Sequence, residues 1–190
     1  MAMNEEAAYS LLNGLEKVKG LPHPPVHLWH PDNVKDIDMQ IRANGEWVHE
    51  GSVIKRERLV HLFASVLRKE DDDYYLVTPV EKCRIVVEDA PFIAILLRNE
   101  GQGKAQKLSF TTNMAEEVNY DADHTLRIDI NPDSDEPAPY IHIREGLEAR
   151  INRNVFYQLM DLLVTEQWQG KQWLGLWSYA QFFPIMIEPS

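Results

Sequence analysis

Apolar positions along this chain recur at two periods, and each change of period marks a new element. Over residues 5–18, Ala8, Leu11, Leu12, Leu15 and Val18 fall on one helical stripe that stops at Gly20. "LPHPPVHLWHPDN" follows, and its prolines exclude regular structure, predicting an extended strap with Trp29 packed inward. Alternation then takes over. Met39 and Ile41 alternate with polar residues ahead of Asn44-Gly45, which predicts a β-hairpin with a tight two-residue turn. From Lys55 to Leu67 the helical period returns at Leu59, Leu62, Phe63, Val66 and Leu67. "EDDD" reads as a turn, and "YYLVTPV" and "CRIVVED" read as strands with Pro79 at a bulge or edge between them.

In the second half, "APFIAILL" fits a strand or a buried helix equally, because a short apolar run carries no period. "KLSFTT" and "HTLRIDI" are strands on either side of "NMAEEVNYDAD", "YIHIR" is a further strand, and Val155, Phe156, Leu159, Leu162 and Leu163 mark a second amphipathic helix. The tail carries Trp168, Trp173, Trp177, Phe182, Phe183 and Ile185, too many large apolar groups to leave in water. Packing back onto the chain is the leading expectation, with a homodimer interface or a membrane-surface helix as alternatives. The last is disfavoured because Lys171 is the tail's one cation, and such helices carry Lys and Arg on their polar face.

Runs of strands with a helix after each hairpin predict an α+β fold with mostly antiparallel sheets. The two halves also echo each other. "WVHEGSVIKRERLVHLF" and "YIHIREGLEARINRNVFYQLM" both run aromatic, aliphatic, His, then Glu-Gly, then Ile-x-Arg into an amphipathic helix. Two duplicated strand-plus-helix half-domains follow from this, drawn as a helix and strap at 1–37, a first domain at 38–90, a second at 91–165 and a tail at 166–190.

Composition narrows the function. A chain of 190 residues, 44% hydrophobic and 26% charged, can bury a real core, and no stretch approaches the length of a membrane span. The acidic N-terminus lacks the regions of a signal peptide, and the single Cys83 agrees with a reducing cytoplasm. A net charge of −11 argues against a nucleic-acid polymer as partner, since no basic run longer than "KRER" exists to meet one. A small anion held by a few arginines stays open.

"PPVHLWHP", "GSVIKRERLVHLFASVLRKE", "YYLVTPVEKCRIVVEDAPF", "LSFTTN" and "PYIHIREGLEARINRNVFYQL" resemble the bacterial domain-of-unknown-function 1285 family over most of the chain. The resemblance implies a two-domain core made by duplication, a second domain similar to pleckstrin-homology-type folds, and an interdomain cleft that takes a nucleotide-like ligand in a signalling role. It implies no activity. The chain departs from the family at Asp71-Asp72-Asp73, at Val53 before the first Ile-x-Arg, and at Ala115-Glu116 after the Thr-Asn. The last departure lies nearest the implied cleft and bears on ligand identity.

Arg56 and Arg153 stand at predicted helix N-termini, where free N–H groups and the helix dipole favour anions, and a guanidinium there binds phosphate or carboxylate bidentately. Arg144 could converge on the same place. The competing reading pairs these arginines with Glu81, Glu88, Glu145 or Glu148 as structural ion pairs. Thr78, Glu81, Lys82, Thr112 and Asn113 sit at strand ends, where they either read a base edge and ribose hydroxyls or close turns by local bonds to the backbone. His23, His27 and His30 have helical ligand spacing, but the prolines among them forbid the helix, so no metal site is read there. His49 and His142 hold matching places in the echo and read first as strand residues. No nucleophile elbow, phosphate loop or paired carboxylates appear, so no catalytic residue and no cofactor is assigned. The expected protein is a cytoplasmic binder of a small anionic, nucleotide-like ligand. An enzyme acting on a nucleotide derivative in the same cleft, or a protein-interaction module, is the alternative.

Overall fold

The computed structural model describes residues 24–132 and 135–188, so the stripe expected at 5–18 and His23 lie outside the described residues. It divides into two compact units, one running to Pro91 and taking in Glu145–Leu147, the other formed by the remainder.

In the first unit a 3-10 turn at Val26–Leu28 leads into strands β1 (Val34–Ile41), β2 (Trp47–His49) and β3 (Ser52–Val53), helix α1 (Glu57–Ser65), and strands β4 (Leu67–Glu70), β5 (Asp73–Val77) and β6 (Lys82–Val87). Alternation in β1 buries Ile37, Met39 and Ile41 on one face. The apolar side of α1, through Val60, Phe63 and Ala64, is buried too, with Phe63 stacked 6.0 Å from Trp47. The helix stops sooner than its period predicts: Leu67, read as its last apolar position, opens β4 instead. The β1–β2 hairpin forms, but not through a two-residue turn. Gly45, at φ 83°, donates to Arg42 O at 2.8 Å, and Arg42 N donates to Glu46 O at 2.9 Å. That is a longer loop ending in a left-handed glycine, with Asn44 Oδ1 accepting from Glu46 N at 3.0 Å.

The second unit contains β7 (Phe92–Glu100), β8 (Lys107–Thr112), β9 (Glu117–Asn119), β10 (Leu126–Ile130), β11 (Pro137–Arg144), β12 (Leu147–Ile151), α2 (Arg153–Met160), and β13 (Val164–Trp168), β14 (Lys171–Ser178) and β15 (Gln181–Ile187). "APFIAILL" is strand β7, bulged between Ala94 and Leu96 against β8, so that Ile95 and Leu96 both face solvent. The tail is an antiparallel three-stranded sheet in the order β13-β14-β15, which corrects the alternative of a membrane-surface helix. One face of β14 buries Leu176 and Ser178 completely. Gly175 makes room for its neighbour strand: a Cβ there would stand 2.4 Å from Phe183 O and 2.5 Å from the Phe182 ring.

Each unit holds a six-stranded sheet, in the orders β3-β2-β1-β6-β5-β4 and β10-β11-β12-β7-β8-β9. The plans are the same. Two three-stranded meanders are joined by one parallel pair, β1 with β6 or β7 with β12, always the first strand of the earlier meander beside the last of the later. The echoed segments map onto hairpins that run straight into helices, β2–β3–α1 and β11–β12–α2. Their Glu-Gly turns match closely, with Glu50 and Gly51 at φ 49° and 74° and Glu145 and Gly146 at 46° and 77°. Two successive left-handed residues suit the primed turn that continues the twist of the flanking strands. The echo is shifted against the sheet plan, however, because α1 follows the earlier meander and α2 the later one. Among the described residues α-helix is confined to α1 and α2, so the chain is α+β and mostly sheet, built as two halves of like plan.

Candidate functional site

The candidate residues divide between the units. Arg56, Thr78, Glu81 and Lys82 belong to the first, and Thr112, Asn113, Arg144 and Arg153 to the second.

Thr78 is fully buried, and its Oγ1 accepts from Glu81 N at 3.1 Å and donates to Glu81 O at 3.2 Å, closing the β5–β6 turn around Pro79. Glu81 is 1% exposed and takes a bond from Lys35 Nζ at 2.8 Å on Oε2, while Oε1 is buried with no hydrogen-bond partner among the described residues. Its carboxylate and burial together push the neighbouring Cys83 thiol up to about 12, burial being the larger cause, which makes that sulfur a poor nucleophile. Lys82 Nζ lies 2.5 Å from Glu70 Oε2 and 4.4 Å from the centre of the Tyr75 ring. Glu70 also receives Arg68 Nη2. Burial raises the Glu70 carboxyl, but the bond from Lys82 and the charge of Arg68 outweigh it and hold the group below its usual range.

In the second unit, Thr112 Oγ1 accepts from Met114 N and Glu116 N, both at 3.2 Å, and Asn113 Oδ1 accepts from Ile93 N at 2.9 Å. Thr112 therefore closes the β8–β9 turn, in which Ala115 takes a φ of 59°, while Asn113 ties that turn to β7. Arg144 Nε stands 3.3 Å from Glu116 Oε1, with the guanidinium 5.6 Å from the Phe92 ring centre. Arg153 opens α2 and donates to Glu136 at 3.0 Å, both side chains being well exposed. Asn152 caps that helix through Oδ1, which accepts from Val155 N at 2.8 Å. Arg144 and Arg153 are therefore both in ion pairs, with Glu116 and Glu136. Glu148 is taken by Arg127, and Glu88 accepts from Gln40 and from Ala43 N.

Arg56 is the exception. It is the N-cap of α1, where its side chain makes no capping bond, and it is exposed together with Lys55 and Arg58. None of these three cations has an ion pair or side-chain hydrogen bond among the described residues. Sequence reasoning passed over Lys55 and Arg58 because it took "KRER" only as the longest basic run. The available signal was the lack of Ser, Thr, Asn or Asp at the cap. A groove of about 460 Å³ in the same unit is lined by Asp36, Asp72, Asp73, Tyr74 and Arg84 among others, and contains none of the candidate residues. Among the described residues no helix is long and apolar enough to cross a membrane.

Comparison with known proteins places these features in a family. Residues 24–90 match the model described as "Domain of unknown function (DUF1285), N-terminal domain", and residues 91–185 match "Protein of unknown function (DUF1285), C-terminal domain". A crystal structure of a DUF1285 family protein from Silicibacter pomeroyi DSS-3 is similar at 46% identity and a TM-score of 0.82, over 94% of this chain and 95% of that one. Another, from Shewanella baltica OS155, is similar at 29% identity and a TM-score of 0.52, over 65% of this chain and 91% of that one. No curated protein matches. With both family models covering most of its length and two solved relatives alongside, the chain belongs to the DUF1285 family.

Proposed function

We propose that this protein binds a small phosphate-bearing, nucleotide-like anion, with the first unit supplying the anchor at the start of α1. The observation that carries this reading is the cluster of Lys55, Arg56 and Arg58 around a helix N-terminus that has no side-chain cap, on a chain of net charge −11. Three cations held together repel one another, and first-turn amides lack intrahelical acceptors, so an anion there relieves both. Glu57 in the same turn is the one local competitor. The site is exposed, so its affinity is millimolar to tens of micromolar, about −4 to −6 kcal/mol, and falls with salt. A regulatory role in the cytoplasm accords with binding of that strength and with the absence of an assembled acid–base pair or nucleophile in the sequence. The likeness of the second half to a pleckstrin-homology fold is carried over from the family resemblance alone.

Titration of ATP and inorganic phosphate at low salt tests the reading, with product formation followed in the same samples. Binding without turnover, lost at least tenfold in Arg56→Gln/Arg58→Gln and unchanged in Arg153→Ala, supports it. Equal affinity in the double variant sinks it, and turnover moves the protein to the enzyme alternative.

A further inference from the structure

We propose that the groove on the first unit's sheet binds a linear aliphatic polyamine. At about 460 Å³ the groove falls within the range of small-ligand sites, and it is formed by β1, β5 and β6 with Asp72 added from the β4–β5 turn. A break in the β1–β6 ladder creates it. Pairing runs from Val34 with Lys82 to Asp36 with Arg84 and resumes only at Gln40 with Val86, so Ile37, Asp38 and Met39 have no partner in β6. The strands part over this bulge, and Val86 is left 59% exposed.

Val86 and Val87 give the groove an apolar wall, and its charge is set by Asp36, Asp72 and Asp73 against Arg84. Arg84 is already engaged within this set. Its Nε donates to Asp36 Oδ1 at 2.7 Å, and its Nη1 stands 3.8 Å from Asp73 Oδ2. Asp72 is exposed and has no ion pair or hydrogen bond among the described residues. Three carboxylates facing one guanidinium leave the groove negative, so its complement is a cation.

Two observations select which cation. Among the described residues no group of three or more His, Cys, Asp or Glu could hold a metal ion, so these carboxylates are not a metal cage. An exposed valine wall beside carboxylates suits an alkylammonium instead, whose charged ends meet the aspartates while its methylenes cover Val86. The sheet runs in the order β3-β2-β1-β6-β5-β4, so β6 has a neighbour on either side and offers no edge where an extended peptide could pair as an added strand. A free polyamine needs no such edge. The net charge of −11 draws any cation toward the chain, and the groove adds the apolar wall that favours one carrying methylenes. None of Lys55, Arg56 and Arg58 lines the groove, so this site is separate from the anion anchor at α1.

Calorimetric titration of the full chain with spermidine at low salt tests this, with backbone amide shifts followed by NMR. The expected result is one equivalent bound at about 100 μM, with shifts at Asp72, Arg84 and Val86. Val86→Lys places an ammonium and its stem where the ligand lies, and weakens binding at least tenfold. Asp72→Asn removes one exposed charge contact and weakens it about two- to fivefold. Both side chains are exposed, so neither change disturbs the core, and a melting curve checks that each variant is folded. Asp161→Asn, which removes an exposed carboxylate from the second unit, serves as the control and leaves the affinity unchanged. No heat or shift up to about 5 mM spermidine, an equal loss in Asp161→Asn, or full affinity in a folded Val86→Lys protein overturns the proposal. So does tighter binding of trilysine than of spermidine, which would make the groove a docking place for a basic protein segment.

Discussion

Replacing Arg68 with alanine removes a side chain that ties the strap to the first unit's sheet. Arg68 is 9% exposed. Its Nη1 donates to Val26 O at 2.9 Å and to Trp29 O at 2.7 Å, and its Nη2 donates to Glu70. Hydrogen bonds to a charged donor contribute about 1.5–3 kcal/mol each, but water entering the space left by the guanidinium recovers part of that. Glu70 is 35% exposed and keeps Lys82, so the two carbonyl bonds dominate and about 3–4 kcal/mol is expected for Arg68→Ala. Urea denaturation followed by tryptophan fluorescence should show the midpoint falling by roughly 1.5–2 M. Protease cleavage near the exposed Leu28 should accelerate in step with it. Arg68→Lys keeps the charge without the fork and should recover about half the loss. The pH dependence gives a further check. Because Glu70 is held below its usual range, its contribution to stability is complete above that range and lost as pH falls through its folded value. Without Arg68 that loss should be smaller and be complete at a higher pH. A cost below about 1 kcal/mol for Arg68→Ala, with unchanged proteolysis, would refute the clamp.

Gly175→Ala should destabilise the C-terminal sheet by about 2–4 kcal/mol, since the new Cβ collides with the Phe183 carbonyl and the Phe182 ring, and a melting curve reads it directly. Asn152→Ala should cost about 1 kcal/mol through loss of the α2 cap, whereas Arg56→Asp should stabilise α1 by a few tenths to 1 kcal/mol while weakening anion binding; denaturation curves measure both. The Cys83 thiol, buried and raised to about 12, should resist an aromatic disulfide reagent at pH 8 in the native protein and react at once in denaturant. Rapid reaction of the folded protein would mean that β6 opens locally.

Local chemistry made much of the architecture readable in advance. Helical spacing located α1 and α2, alternation located β1, and Asn44-Gly45 marked a hairpin, because each of these depends on residues within a few positions of one another. The repeated Glu-Gly was legible as an echo, and its matched left-handed turns explain it: the backbone there constrains composition strongly. Turn closure by local bonds, one of the two readings open for Thr78, Thr112 and Asn113, describes the bonds of Thr78 and Thr112, whereas Asn113 reaches Ile93 on the neighbouring strand.

What the sequence by itself determined, then, is the two amphipathic helices, several of the strands and turns, and the family. Tertiary structure decided which strands pair across long separations, above all β1 beside β6 and β7 beside β12, since a parallel pair leaves no local turn signal. It decided that "APFIAILL" is a strand, because β8 and β12 supply its ladder on either side. It made the aromatic tail a sheet, where Trp177 meets Phe182 across β14 and β15 and leaves Leu176 facing the core. It also chose the partners of the charges, giving Arg153 to Glu136 and Arg144 to Glu116 while leaving Arg56 with none among the described residues. An ion pair needs only proximity, and proximity between distant residues is set by how strands are ordered in a sheet, which no single-residue pattern encodes.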